Sequence, residues 1–374
     1  MGGKKADQGK SGDSSNCAFK LAINSRLKDS KHSPVQMSAF TLSLIEPIIM
    51  NKEQKKRLAV FQKIKNNVFA SKWPCMHPDC ELPAIQSHLL QQRGILDHLT
   101  EAGHLIQVKP GDLFEIDTKG FVQFKRVGIR EVITYPLFCN RHDSSIFSSI
   151  ESQSPDFDSH QAQLLFSYRA LCAELRKNER NTRLHERLSR ARTLESYYSP
   201  AFYKLLEQGM ALDQQRIRDL RVFKEAFEQE LDDPHGQFTF YTCHYPPVKV
   251  SVSAIFSMEM EFSIAPPSLA RPLDSVFINV IPKSTHLVVI IGYHNSYTNS
   301  RIRQYAEDWR KHEYVDITPF LSDLVTRVET WAMAESLYLK IPKQVERDYL
   351  NYFTLTIREN GHPGLFPHNL FSLS

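Results

Sequence analysis

The sequence predicts an α+β protein built from a zinc-binding, treble-clef-like module, a helical middle, and an antiparallel sheet with C-terminal helices. Cysteine and histidine sit at ligand spacings between residues 73 and 151. Leucine and phenylalanine recur at helical multiples from 159 to 231, and beyond Gly236 the hydrophobic period switches to two. The 374 residues, 41% hydrophobic and 24% charged, are globular proportions that exclude a collagenous, coiled-coil or wholly disordered chain. A net charge of +4 is too small to imply a nucleic-acid partner by itself. No apolar run approaches the roughly 20 residues needed to span a bilayer, so no membrane partner is expected.

Residues 1–49 read as an extension, native or not, and 1–36 are polar enough to be disordered. The fold is expected to open near Met50, where Leu58, Phe61, Ile64 and Val68 follow a basic stretch at spacings of three and four. No secretory signal is visible, and Cys17, Cys75, Cys80, Cys139, Cys172 and Cys243 are too sparse for a disulfide scaffold. A reduced, cytoplasmic protein is the expectation, with its thiols serving as metal ligands or buried hydrophobes.

The segment 50–151 carries the chemistry. Cys75-Met-His-Pro-Asp-Cys80 places two thiols on a turn, and Cys139-Asn-Arg-His142 places a thiol and an imidazole within one helical turn. Zinc prefers four sulfur or nitrogen ligands in a tetrahedron, so Cys75, Cys80, Cys139 and His142 form a candidate Cys3His site. His77 and His104 are competing ligands, and four residues with no metal role remain the alternative.

These residues resemble the treble-clef module of the HNH nuclease family. There, a zinc knuckle leads into a strand ending in a catalytic histidine, and a second ligand pair opens the final helix. Here the knuckle is followed by Ala84-Ile-Gln-Ser-His88, and Tyr135-Pro-Leu-Phe-Cys139-Asn-Arg-His142-Asp143 precedes a helix-like Ser144–Glu151. The resemblance implies His88 as general base and Asp143 as a ligand for a catalytic Mg2+ or Mn2+. It further implies an endonuclease of a microbial defence or restriction type. The chain has Ser87 where many members carry a metal-binding Asp or His, and the match covers about residues 73–151 only.

In the helical segment 159–231, Arg176, Arg180, Arg183, Arg187 and Arg190 recur at spacings of three and four. They form one stripe suited to a phosphate backbone, DNA above all, or a solvated helix face. Ser199-Pro200 marks a break. From 236 to 374, Val248 to Phe262 alternate as a strand with one buried and one mostly polar face. Val276–Ile281 and Leu287–Ile291 form a hairpin, and helices are expected at about 299–312 and 318–339, with Trp309 and Trp331 as packing residues. The leading expectation is a zinc-containing nucleic-acid-binding protein with HNH-like nuclease chemistry. The rival is a non-catalytic zinc-stapled protein whose C-terminal region binds a partner or small ligand.

Overall fold

The computed structural model describes residues 52–111, 122–152, 155–191, 200–258, 271–311, 316–359 and 365–372. The expected N-terminal extension lies outside them. The chain opens with α1 (Lys52–Phe69), whose apolar stripe buries Leu58, Phe61 and Val68. Next come β1 (Gln86–His88), a 3-10 turn at Leu96–His98, the hairpin β2 (His104–Pro110) and β3 (Val122–Gly128), β4 (Thr134–Pro136) and the short α2 (Asn140–Phe147). The helical middle is α3 (His160–Ser189) and α4 (Pro200–Asp232). Ser159 caps α3 by accepting a hydrogen bond from the Ala162 amide, and proline, with its preset φ, opens α4.

After α4 the chain turns sharply. Gly236 adopts φ +72°, and the buried Glu230 carboxylate accepts the backbone amides of His235, Gly236 and Gln237 at 2.9–3.2 Å. These contacts launch β5 (Phe238–Tyr245). The strands β6 (Val250–Ser257), β7 (Ser275–Pro282) and β8 (Leu287–His294) follow. Then come α5 (Ser300–Lys311), α6 (Thr318–Leu324), β9 (Trp331–Met333), α7 (Glu335–Tyr338) and α8 (Lys343–Glu359).

The fold is α+β, as the sequence predicts. A seven-stranded antiparallel sheet runs β3-β2-β9-β6-β7-β8-β5, and a separate two-stranded pair joins β1 to β4. The large sheet draws on distant parts of the chain, because Met333 of β9 pairs with Ile106 of β2 and with Val250 of β6. Side-chain alternation in β7 separates two apolar clusters. Phe277 and Ile281 face Leu164, Leu171, Phe223 and Phe227 of the α3–α4 hairpin. Val276, Ile278 and Val280 face Ile302, Trp309, Leu321 and Tyr349 of the C-terminal helices.

This three-layer arrangement corrects two expectations. β6 has no solvent face: Ser251 and Ser253 are fully buried, with Ser253 Oγ donating to Asn279 Oδ1 at 2.8 Å and Ser251 Oγ to the Ala332 carbonyl at 3.4 Å. Serine reads as polar in a pattern, yet it buries readily where a partner satisfies its hydroxyl. The stretch expected as one helix over 318–339 instead ends α6 at Leu324 and inserts the sheet strand β9, with Trp331 buried inside it. The hairpin β7–β8 and the helix at α5 form where expected. The expected strand residues beyond Met258 lie outside the described residues.

Gly292 of β8 sets the spacing to its neighbour. A Cβ there would lie 2.2 Å from Phe240 Cδ1 and 2.5 Å from the Thr239 carbonyl oxygen. Gly292→Ala is therefore expected to lower the free energy of urea unfolding by about 1–3 kcal/mol through overpacking. An unchanged unfolding midpoint would mean that the Phe240 ring and the Thr239 carbonyl of β5 both give way without cost.

Candidate metal centre

Local backbone chemistry builds the first half of the site. The chain enters and leaves the Cys75–Cys80 knuckle through paired segments: Cys75 N donates to the Leu82 carbonyl at 2.9 Å and Ala84 N to the Trp73 carbonyl at 2.8 Å. Asp79 turns the loop at φ 56°, a conformation that aspartate tolerates better than most residues. The second half is stitched to the first by Met76 N donating to Leu137 O at 2.9 Å and Ile85 N to Phe138 O at 2.8 Å. Cys139 is the extended N-cap residue of α2, so its thiol and the His142 imidazole, one turn on, project to the same side.

The ligand atoms of Cys75, Cys80, Cys139 and His142 all lie within 4.8 Å of one another. His142 Nδ1 is 3.4 Å from Cys75 Sγ and 3.5 Å from Cys139 Sγ, and Cys80 Sγ is 3.9 Å from Cys139 Sγ. A tetrahedral ion with metal–sulfur bonds of about 2.3 Å and metal–nitrogen bonds of about 2.0 Å requires sulfur–nitrogen edges of ~3.5 Å and sulfur–sulfur edges of ~3.8 Å. These three edges fit. The Cys139 amide lies 3.2 Å from Cys75 Sγ and can donate to a thiolate there. The Cys139 thiol is held below its usual range, first by the His142 backbone amide, whereas burial pushes the Cys75 thiol up. These four residues could therefore hold a metal ion, and all four donors come from the protein.

His77, the competing ligand, stacks on the His142 ring at 3.8 Å and 14° instead of joining the thiols. His104 lies on β2, with Nδ1 2.7 Å from the Ala102 carbonyl. His88 ends β1, and its Nε2 is 2.8 Å from the Ile129 carbonyl. Asp143 lies 3.8 Å from the Arg169 guanidinium, which also donates to Glu151 at 2.6 Å. Burial raises the Asp143 carboxyl, while Arg169, the Ser87 hydroxyl and His88 pull it back down. His88 and Asp143 thus share one corner beside the metal cluster. Each is also engaged by the surrounding structure.

The arginine stripe divides along α3: Arg176 is buried, Arg180 and Arg183 are half-buried, and Arg187 and Arg190 are exposed. Arg176 is 2% exposed; it donates to the Pro74 carbonyl at 2.6 Å and to Glu179 at 3.0 Å. Arg183 stacks over Trp73 at 3.7 Å and Arg180 over Phe69 at 4.0 Å, while Arg187 and Arg190 remain exposed. Guanidinium planes pair well with aromatic faces, and Phe69 and Trp73 supply two faces one helical turn apart in sequence. The aromatic pair just ahead of the knuckle is the sequence signal for this packing, since each ring takes a guanidinium of the stripe. Here α3 grips α1 and the root of the metal knuckle.

No protein-family model matches the chain, and neither a curated protein nor a solved structure shows significant similarity to it. Among the described residues, no helix is long and apolar enough to cross a membrane.

Arg183→Ala should remove the guanidinium from Trp73, lower unfolding stability by about 0.5–2 kcal/mol and change tryptophan emission. The exposed Arg187→Ala should stay within about 0.5 kcal/mol of wild type. Equal effects of the two substitutions in urea melts would contradict the clamp.

Proposed function

We propose that this chain is a zinc protein whose ion is structural and that its task is binding rather than bond cleavage. The closed donor set carries the structural assignment of the ion: four protein ligands on a knuckle and a helix packed into one apolar cluster. The binding role rests on the engagement of His88 and Asp143 described below. A catalytic zinc keeps a coordination position open, whereas a structural one is filled by the protein. Bound there, zinc would staple the Cys75–Cys80 turn to the first turn of α2. It would thereby fix the face that α3 grips through Arg176. The expected general base and metal ligand of a nuclease, His88 and Asp143, are committed to the Ile129 carbonyl and to the neighbourhood of Arg169, which supports the same reading.

Metal analysis of purified wild type beside Cys139→Ser tests the proposal. Wild type should carry about one zinc per chain, and the variant should lose it together with cooperative unfolding. A well-folded wild type without zinc would overturn the assignment.

One observation favours a second reading, HNH-like hydrolysis of a nucleic-acid phosphodiester. Ser87 and Asp143 lie side by side next to His88, and neither the buried Ser87 Oγ nor the buried Asp143 Oδ1 makes a hydrogen bond of good geometry beyond the Ser87–Asp143 contact itself. Two such under-satisfied oxygens would suit a Mg2+ or Mn2+ ion, with the exposed Arg187 and Arg190 placed to meet backbone phosphates. Plasmid nicking in Mg2+ or Mn2+ separates the readings. The binding protein should show none above background. Nicking by wild type that vanishes in His88→Ala would establish the hydrolase instead.

A further inference from the structure

The five cysteines among the described residues are of two kinds. Cys172 and Cys243 are fully buried outside the metal cluster, and burial pushes the Cys172 thiol up to about 12, which keeps it protonated and unreactive. Cys75, Cys80 and Cys139 belong to the cluster, and their surroundings differ. Cys75 and Cys139 are only 6% and 4% exposed. Cys80 is half-buried, in a stretch where Pro78, Asp79, Glu81 and Leu82 are all exposed. The Cys75 sulfur is also engaged from within, 3.2 Å from the Cys139 amide and 3.4 Å from His142 Nδ1. Cys80 is therefore the cluster thiol that solvent reaches, and Cys139 Sγ stands 3.9 Å from its sulfur.

Metal binding keeps ligand sulfurs as thiolates, the nucleophilic form of the side chain. An accessible thiolate with a second sulfur close by is the arrangement in which oxidation runs on to a disulfide, because the neighbour captures the first oxidised sulfur before it is oxidised further. Sulfurs joined in a disulfide lie about 2.0 Å apart, so Cys80 and Cys139 need to approach by only about 1.9 Å.

We propose that Cys80 is a site of oxidation by hydroperoxides and that Cys139 resolves it into a disulfide that expels the metal. The metal-release half of this rests on the zinc reading above. The Cys80 thiolate attacks one peroxide oxygen, the O–O bond breaks, and the other oxygen departs as hydroxide and is protonated to water. Cys80 is then a sulfenic acid. The Cys139 thiolate attacks that sulfur, the S–S bond forms, and the S–O bond breaks as a second hydroxide leaves and is protonated. Each sulfur gives up one electron, the peroxide takes both, and two protons are consumed. Two of the four donors are thereby withdrawn, and Cys75 and His142 alone are too few to retain a tetrahedral ion. The closure between positions 80 and 139 survives as a covalent bond. What is released is the Cys75 end of the knuckle, next to the Pro74 carbonyl that Arg176 holds.

Treatment of the zinc-loaded full chain with hydrogen peroxide tests it. A chromogenic chelator reads the metal, and peptide mapping after denaturation and alkylation reads the thiols. About one zinc per chain should be released together with a linked Cys80–Cys139 peptide, while Cys75 and Cys172 remain thiols. Dithiothreitol should then restore both thiols and zinc binding. Zinc retained under excess peroxide would overturn the proposal. So would a disulfide that includes Cys75, or Cys80 recovered as a sulfinic acid that dithiothreitol cannot reverse. A chain isolated without zinc would defeat the zinc reading alone, because mapping of that metal-free chain should still give the Cys80–Cys139 disulfide. Its absence there would defeat the oxidation site as well.

Discussion

Cys80 and Cys139 stand 59 positions apart in the chain and their sulfurs lie 3.9 Å apart in space, and the metal-cluster side of the molecule depends on that closure. Closing a loop of such length costs chain entropy that grows only slowly with length, so the segment in between can be large provided its ends are held. Here the intervening chain is no idle loop. It contributes the hairpin of β2 and β3 to the large sheet, and β2 pairs on its other side with β9 from the far end of the sequence. The closure therefore couples the cluster to the sheet. The Arg176 contact to Pro74 adds a third tie, from the helical layer.

Burial on both faces governs the rest. The sheet lies between the α3–α4 hairpin and the C-terminal helices, so β7 and β8 read as continuous apolar runs. Ser253 and Asn279, both buried in this interior, pair across β6 and β7. A buried tyrosine shows the same economy: Tyr349 donates to the Val325 carbonyl at 2.8 Å.

What was legible in the sequence follows from how far apart the cooperating residues stand. Cys75 with Cys80, and Cys139 with His142, announce themselves because each pair is local and its spacing has a meaning for a tetrahedral ion. The helices α3 and α4 and the hairpin β7–β8 are legible for the same reason: their periodicity runs over many residues. β9 escaped because three residues carry no period, and helical neighbours on either side absorbed them into their pattern. The arginine spacing correctly placed one stripe on a helix, yet spacing alone cannot tell whether that stripe meets water or Trp73.

The Phe240 ring occupies the space above Gly292, so these two positions share a single allotment of volume between β5 and β8. Shrinking residue 240 would vacate the ring's share, yet the Thr239 carbonyl oxygen would still lie 2.5 Å from a Cβ at 292. The two positions are therefore unequal: 240 can become smaller while 292 stays glycine, whereas 292 admits no side chain until the β5 backbone itself withdraws. Glycine at 292 thus works as a one-way valve on change at this edge of the sheet.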